Sequence, residues 1–106
     1  MVNPHAGEAE LVIGGRAYTL KLTLGALAGL EAALEAETLV ELVRRFEQGR
    51  FSASDVLALL AAGLQGGGHA TSREALATAE ITGGPVQAAR VAATLLARSF
   101  ALPEAP

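Results

Sequence analysis

Glu8-Ala9-Glu10-Leu11-Val12-Ile13 runs into Gly14-Gly15 and out through Arg16-Ala17-Tyr18-Thr19-Leu20-Lys21-Leu22, and this stretch decides the fold. Two glycines between apolar and β-branched runs signal a two-residue hairpin turn, because both central positions accept positive φ. The second run alternates, with Tyr18, Leu20 and Leu22 on one face and Thr19, Lys21 and Thr23 on the other. An isolated hairpin is marginal in water, so its apolar face needs helices to lie on.

Those helices follow in the remaining sequence. Thr23 reads as an N-cap, and Leu24, Leu27, Leu30 and Leu34 then recur at helical spacing. Gly25 and Gly29 lie four residues apart on this helix and predict a smooth strip against which another part of the chain packs closely. Thr38 with Glu41 reads as a capping box opening a second helix, whose buried stripe is Leu39, Leu42, Val43 and Phe46. Arg44, Arg45 and Glu47 are expected to face outward, and Gly49 to end the helix. Ser52 and Asp55 form another capping-box pair, for a third helix through Leu64 with Val56, Leu57, Leu60 and Leu64 inward and Gly66-Gly67-Gly68 as the stop.

Thr71 with Glu74 predicts a short fourth helix to about Ala79, and Ile81–Gly84 a loop. Pro85 suits the first turn of a last helix that runs to about Phe100. That helix has two apolar stripes, one of Val86, Ala89, Ala93, Leu96 and Phe100, the other of Ala88, Val91, Ala92 and Leu95. A helix apolar on most sides is central to a core or touches a partner; Arg90 and Arg98 mark its expected wet side. The fold class is therefore α+β, an N-terminal β-hairpin packed against four to five short helices. The expected organisation is one domain over residues 1–102, with a disordered tail over 103–106.

Composition bounds the chemistry. At 106 residues with 51% apolar content and a mean hydropathy of +0.38, the chain has one core and is not intrinsically disordered. The 23 alanines and 4% aromatic content mean that this core must come from leucine, valine, isoleucine and the three phenylalanines. The absence of cysteine removes disulfides, thiolate metal sites and a cysteine nucleophile. A net charge of −3 and a pI near 5.3 argue against a general nucleic-acid binder. The N-terminus lacks the basic and apolar regions of a signal peptide, and the apolar run Val56–Leu64 is too short to span a bilayer, so the expected location is cytoplasmic.

No constellation of catalytic residues stands out, and the reading is of a protein that is not an enzyme and needs no cofactor. His5 and His69 lack partners at metal-ligand spacing. Gly66-Gly67-Gly68 precedes a helix but lacks the lysine and the preceding strand of a phosphate loop. Glu31 and Glu35 are one helical turn apart on what reads as a solvated face. The serines lack a nucleophile-elbow setting. Arg44, Arg45 and Arg50 are partly neutralised by Glu41 and Glu47 and read as a salt-bridged surface.

Three segments carry a family resemblance. Asn3-Pro4-His5-Ala6-Gly7-Glu8, Leu22-Thr23-Leu24-Gly25-Ala26-Leu27-Ala28-Gly29-Leu30-Glu31 and Gly66-Gly67-Gly68-His69 occur in an order and spacing that resembles the gene transfer agent family of small proteins. That family occurs in phage-like gene clusters of alphaproteobacteria, in gene transfer agents and prophages, and is grouped with phage tail assembly chaperones, although some names in use call it a tail tube protein. The resemblance implies tail morphogenesis, with the tape measure protein as partner for a chaperone. The alternative is a structural tail component such as a tube or connector subunit. The scarcity of strands favours the chaperone over a β-rich tube subunit. Phe51, Phe100 and Leu102 are the candidate partner-binding residues, with burial in the core as the alternative for each. Homo-oligomerisation is open; nucleic acid and membrane are not expected partners.

Overall fold

In the computed structural model, which describes residues 2–34 and 38–100, Gly14 and Gly15 sit at φ 57° and 80° and join strand β1 (Ala9–Ile13) to strand β2 (Arg16–Leu20). These are the backbone angles that a tight hairpin needs and that β-carbons resist. The strands pair antiparallel, Ala9 with Leu20 and Leu11 with Tyr18. Ala9, Leu11 and Leu20 are buried, so one face of the hairpin enters the core, as the alternation predicts.

Five helices follow: α1 (Leu24–Ala33), α2 (Leu39–Glu47), α3 (Ala53–Gly66), α4 (Arg73–Ala77) and α5 (Gly84–Ser99). Four of the five starts are capped by a hydroxyl accepting a free backbone N–H, from Thr23, Thr38, Ser52 and Ser72. At α3 the box is reciprocal, since the Asp55 carboxylate also accepts from the Ser52 N–H. At α2 the Glu41 carboxylate accepts from Arg44. The fourth helix starts one residue later than predicted and ends at Ala77, because the Ser72 hydroxyl caps it while the Thr71 hydroxyl donates to the His69 carbonyl.

Helix α3 is the hub. It packs closely on α1, α5, β2 and α4, while α5 also packs on β1. Leu59, Leu60 and Leu64 of α3 meet Leu11, Leu20, Leu30, Leu76 and Leu95 in a continuous leucine core. Leu59 belongs to it and Leu57 is only half-buried, a shift of the inward face from the predicted one. Full burial of each such leucine contributes about 1.5–3 kcal/mol.

The close approach of backbones lies elsewhere than predicted. Nothing lies within 4 Å of where a Gly25 side chain would begin, and Gly29 meets only the Gln65 Oε1, because α1 turns Ala26 and Leu30 inward instead. The contact occurs at α3. A β-carbon on Gly66 would overlap the Lys21 carbonyl oxygen, one on Gly67 the Thr19 carbonyl oxygen, and one on Gly63 would sit 2.6 Å from Leu95 Cδ2. The Lys21 N–H donates to the Gly63 carbonyl at 3.0 Å, tying strand to helix. The helix continues through Gly66, so the first residue expected to stop it is one that lets β2 lie against it.

The N-terminal segment closes on itself and then on α5. The Asn3 carbonyl accepts from Ala6 and Glu8, the Asn3 N–H donates to the Glu8 carboxylate, and Arg98 Nη1 donates to the Glu8 carbonyl at 2.8 Å. Arg98 is thus half-buried and structural, where the sequence placed it on a wet face. The tail expected to be disordered lies outside the described residues.

Gly66→Ala is expected to cost about 2–4 kcal/mol, whereas Gly25→Ala should leave stability unchanged or raise it by up to about 1 kcal/mol. Urea denaturation of the two variants checks this; equal effects would mean that the strand does not lie on α3 as described.

Candidate functional site

The apolar surface is built around two rings. Gly49, at φ 68°, turns the chain sharply after α2, so that Phe51 folds back over Phe46. The rings stack 4.5 Å apart at an interplanar angle of 6°. Each ring lines a different cleft. Phe51 borders one of about 450 Å³ with Val56, Leu57, Leu76, Pro85 and Ala88, from α3, α4 and α5. Phe46 borders a second, of about 320 Å³, with Val43 of α2 and Ala93, Leu96 and Phe100 along α5.

One stripe of α5 floors both clefts. Ala89 lies in the first, and Ala93, Leu96 and Phe100 in the second, at spacings of four, three and four residues. The two clefts are therefore successive parts of one apolar track, with the stacked rings between them. Among the described residues no charged side chain lines the first cleft, and Glu47 is the one that lines the second. Val86, at the start of α5, is 68% exposed and Phe100, at its end, 44% exposed, so both ends of this stripe are surface, while Ala89 and Ala93 are half-buried and Leu96, like the Ala88–Val91–Ala92–Leu95 stripe, is core.

The structure brings two of the three sequence candidates to this track. Phe51 is half-buried and Phe100 exposed, in different clefts; Leu102 lies outside the described residues. Phe46 and Val43, predicted as plain core residues, prove to be walls of the track. The signal for Phe46 is its short spacing to Phe51 across Gly49.

A polar pocket of about 250 Å³ lies at the other side of α2, lined by Arg45, Ser54, Asp55 and Arg73. Arg45 was expected to face outward. It turns instead onto Asp55, with Nε to Oδ2 at 3.0 Å and Nη2 to Oδ1 at 2.8 Å, a two-point fork between α2 and α3. Burial by itself would push the Asp55 carboxyl up. The Arg45 hydrogen bonds, the Ser52 N–H and hydroxyl, and the arginine charge outweigh it and hold the carboxyl below its ordinary value.

Among the described residues no three His, Asp or Glu side chains lie close enough to hold a metal ion, and no helix is long and apolar enough to cross a membrane. His69 stands edge-on to Tyr18, 5.1 Å between ring centres, and Arg16 lies over the same tyrosine.

The hairpin, the helices behind it and the track fall within residues 6–102, the span matched by the family model for phage tail tube protein, GTA-gp10. The chain belongs to this family. Membership gives it a function in the tail of a phage-like or gene transfer agent particle, in association with other tail proteins. No curated protein and no solved structure showed a significant match.

A depressed carboxyl stabilises the fold above its unfolded-state pKa and loses that contribution as the pH falls through the folded value. Asp55→Asn should therefore cost about 2–4 kcal/mol at pH 7, and the gap from the unaltered chain should shrink as the pH falls below about 4. Urea denaturation at pH 7 and pH 3 checks this; a constant gap would mean that the carboxylate charge contributes nothing.

Proposed function

We propose that the chain is a structural, non-catalytic component of the tail tube of a phage-like particle, and that it meets its neighbours through the apolar track along α5. Family membership over residues 6–102 supports the tube assignment. The observation that carries the mode of contact is the track itself: an alanine floor, aromatic and leucine walls and almost no charge. A strip of this kind receives the apolar face of a partner helix.

The hairpin is a poorer contact, because both of its edges are engaged. On the β1 side the Val12 carbonyl accepts from Thr82, the Gly14 N–H donates to Glu80, and Ile13 bridges to Ile81. On the β2 side Lys21 bonds Gly63 and Gly67 lies against Thr19. Pairing of strands between subunits would have to displace these bonds first.

One observation favours a second reading, a chaperone for the tape measure protein. Among the described residues the sheet has only two strands, while the track is suited to a long helical client. In that reading the chain is absent from finished particles.

Mass spectrometry of purified particles separates the two, together with negative-stain microscopy of the protein alone. Stoichiometric presence in particles, with rings or tubes formed by the pure protein, is expected of a tube subunit. Absence from particles, with the tape measure protein soluble only on co-expression with this chain, would overturn that assignment in favour of the chaperone. In either case Phe100→Ser should weaken the relevant assembly at least about tenfold while costing less than about 1 kcal/mol of stability, since the ring is 44% exposed.

A further inference from the structure

The buried residues of α5 end at Leu96. Ala97 and Phe100 are exposed, and Arg98 and Ser99 half-buried. A helix end without a buried anchor frays readily, because its last carbonyls have no partner within the helix. This turn nevertheless stays helical: the Phe100 N–H donates to the Leu96 carbonyl and the Ser99 hydroxyl to the Leu95 carbonyl. Ala97 and Phe100 line the second cleft, so that end of the track lies beyond the leucine core.

A distant segment is seated against this turn. Residues 3–8 fold on themselves: the Ala6 and Glu8 N–H groups donate to the Asn3 carbonyl, the Gly7 N–H to the Pro4 carbonyl and the Asn3 N–H to the Glu8 carboxylate. The 3-10 turn Pro4–Ala6 packs on α5. Gly7 takes φ 76°, and a β-carbon on it would lie 3.6 Å from both the Arg98 carbonyl oxygen and the Ser99 Cα, so backbone rests on backbone there. Arg98 Nη1 closes the contact on the Glu8 carbonyl at 2.8 Å, and Ala9, next in the chain, is anchored in the core. Arg98 lines the cleft toward β1, whereas Phe100 lines the one toward α2. The seated segment and the track therefore meet different sides of one helical turn.

We infer that residues 3–8 are a clasp that holds the last turn of α5 and, through it, the Phe100 end of the track. With the clasp closed, Phe100 is held beside Leu96 and Ala97 in the second cleft. With it open, residues 97–100 unwind while α5 stays helical as far as Leu96, and the cleft loses its end wall. Coupling of this kind is reciprocal: a helix lying against Phe100 orders the turn and tightens the clasp by the same factor. A neighbouring protein that pulls on residues 3–8 thus alters the track without touching it. This meaning for assembly rests on the track being the contact surface; the clasp itself is tested without a partner, so the two fail separately.

Hydrogen exchange and the Phe100 ring resonances of the full chain, both read by NMR, test the clasp. Two substitutions open it from opposite sides. Arg98→Met removes the hydrogen bond from the α5 side. Gly7→Ala forces a β-carbon onto a positive φ and changes no residue of the helix. In the unaltered protein the amides of residues 98–100 should exchange at least about tenfold slower than in an unstructured chain. Either substitution should speed them at least about fivefold, with residues 59–64 and 91–95 staying within about threefold, and should move the Phe100 ring resonances toward unstructured positions. Unprotected amides at residues 98–100 of the unaltered protein would overturn the inference without any variant. So would a Gly7→Ala profile in which only residues 3–8 accelerate, or one in which α3 and α5 accelerate throughout.

Discussion

The fold depends on a strand lying directly against a helix. Sheets and helices are ordinarily held apart by side chains, about 10 Å between layers. Here β2 closes onto the last turns of α3, where Gly63, Gly66 and Gly67 offer no β-carbon and the Lys21 N–H reaches the Gly63 carbonyl. The approach sets the hairpin's face over the leucine core, with Leu20 beside Leu95 around Gly63. It also fixes how far α5 sits from β1, and with that where Arg98 meets the Glu8 carbonyl. A chain with 23 alanines and few aromatic residues has little bulk with which to fill wide gaps. Bringing backbones together is how it reaches native packing density.

Much of this was legible in the residues. The Gly-Gly turn, the hydroxyl caps at Thr23, Thr38 and Ser52 and the leucine periodicity are local signals, and local chemistry satisfies them in the structure; the fourth cap moved from Thr71 to Ser72. What escaped is set by tertiary neighbours. Gly25 and Gly29 have the small-residue spacing of a contact, but Ala26 and Leu30 on the same helix carry larger buried surface and win the inward face. Gly66 reads as a helix stop because glycine ends helices; only the strand beside it gives the residue its other meaning. Arg45 and Arg98 read as solvated because arginine usually is. Each finds an acceptor far along the chain, which a charge pattern does not reveal. The track was half legible: two stripes on α5 were visible, but which of them faces the core is decided by α3.

The division of labour on α5 follows from that choice. Its inner stripe fastens the hairpin and α3 together, and its outer stripe of Ala89, Ala93, Leu96 and Phe100 floors the track. A floor built on the back of a core helix inherits that helix's rigidity. The stacked phenylalanines and α2 are its walls, held by Leu42 in the leucine core, a glycine turn and an ion pair.

The scarcity of charge in the two clefts has a thermal consequence. Contacts made there draw on water release, whose entropic driving force fades on cooling, and they owe little to ionic strength. Tail intermediates held together by this surface would loosen in the cold and tolerate salt, the reverse of assemblies held by ion pairs. Temperature, more than the ionic content of the surroundings, then governs when such intermediates come apart.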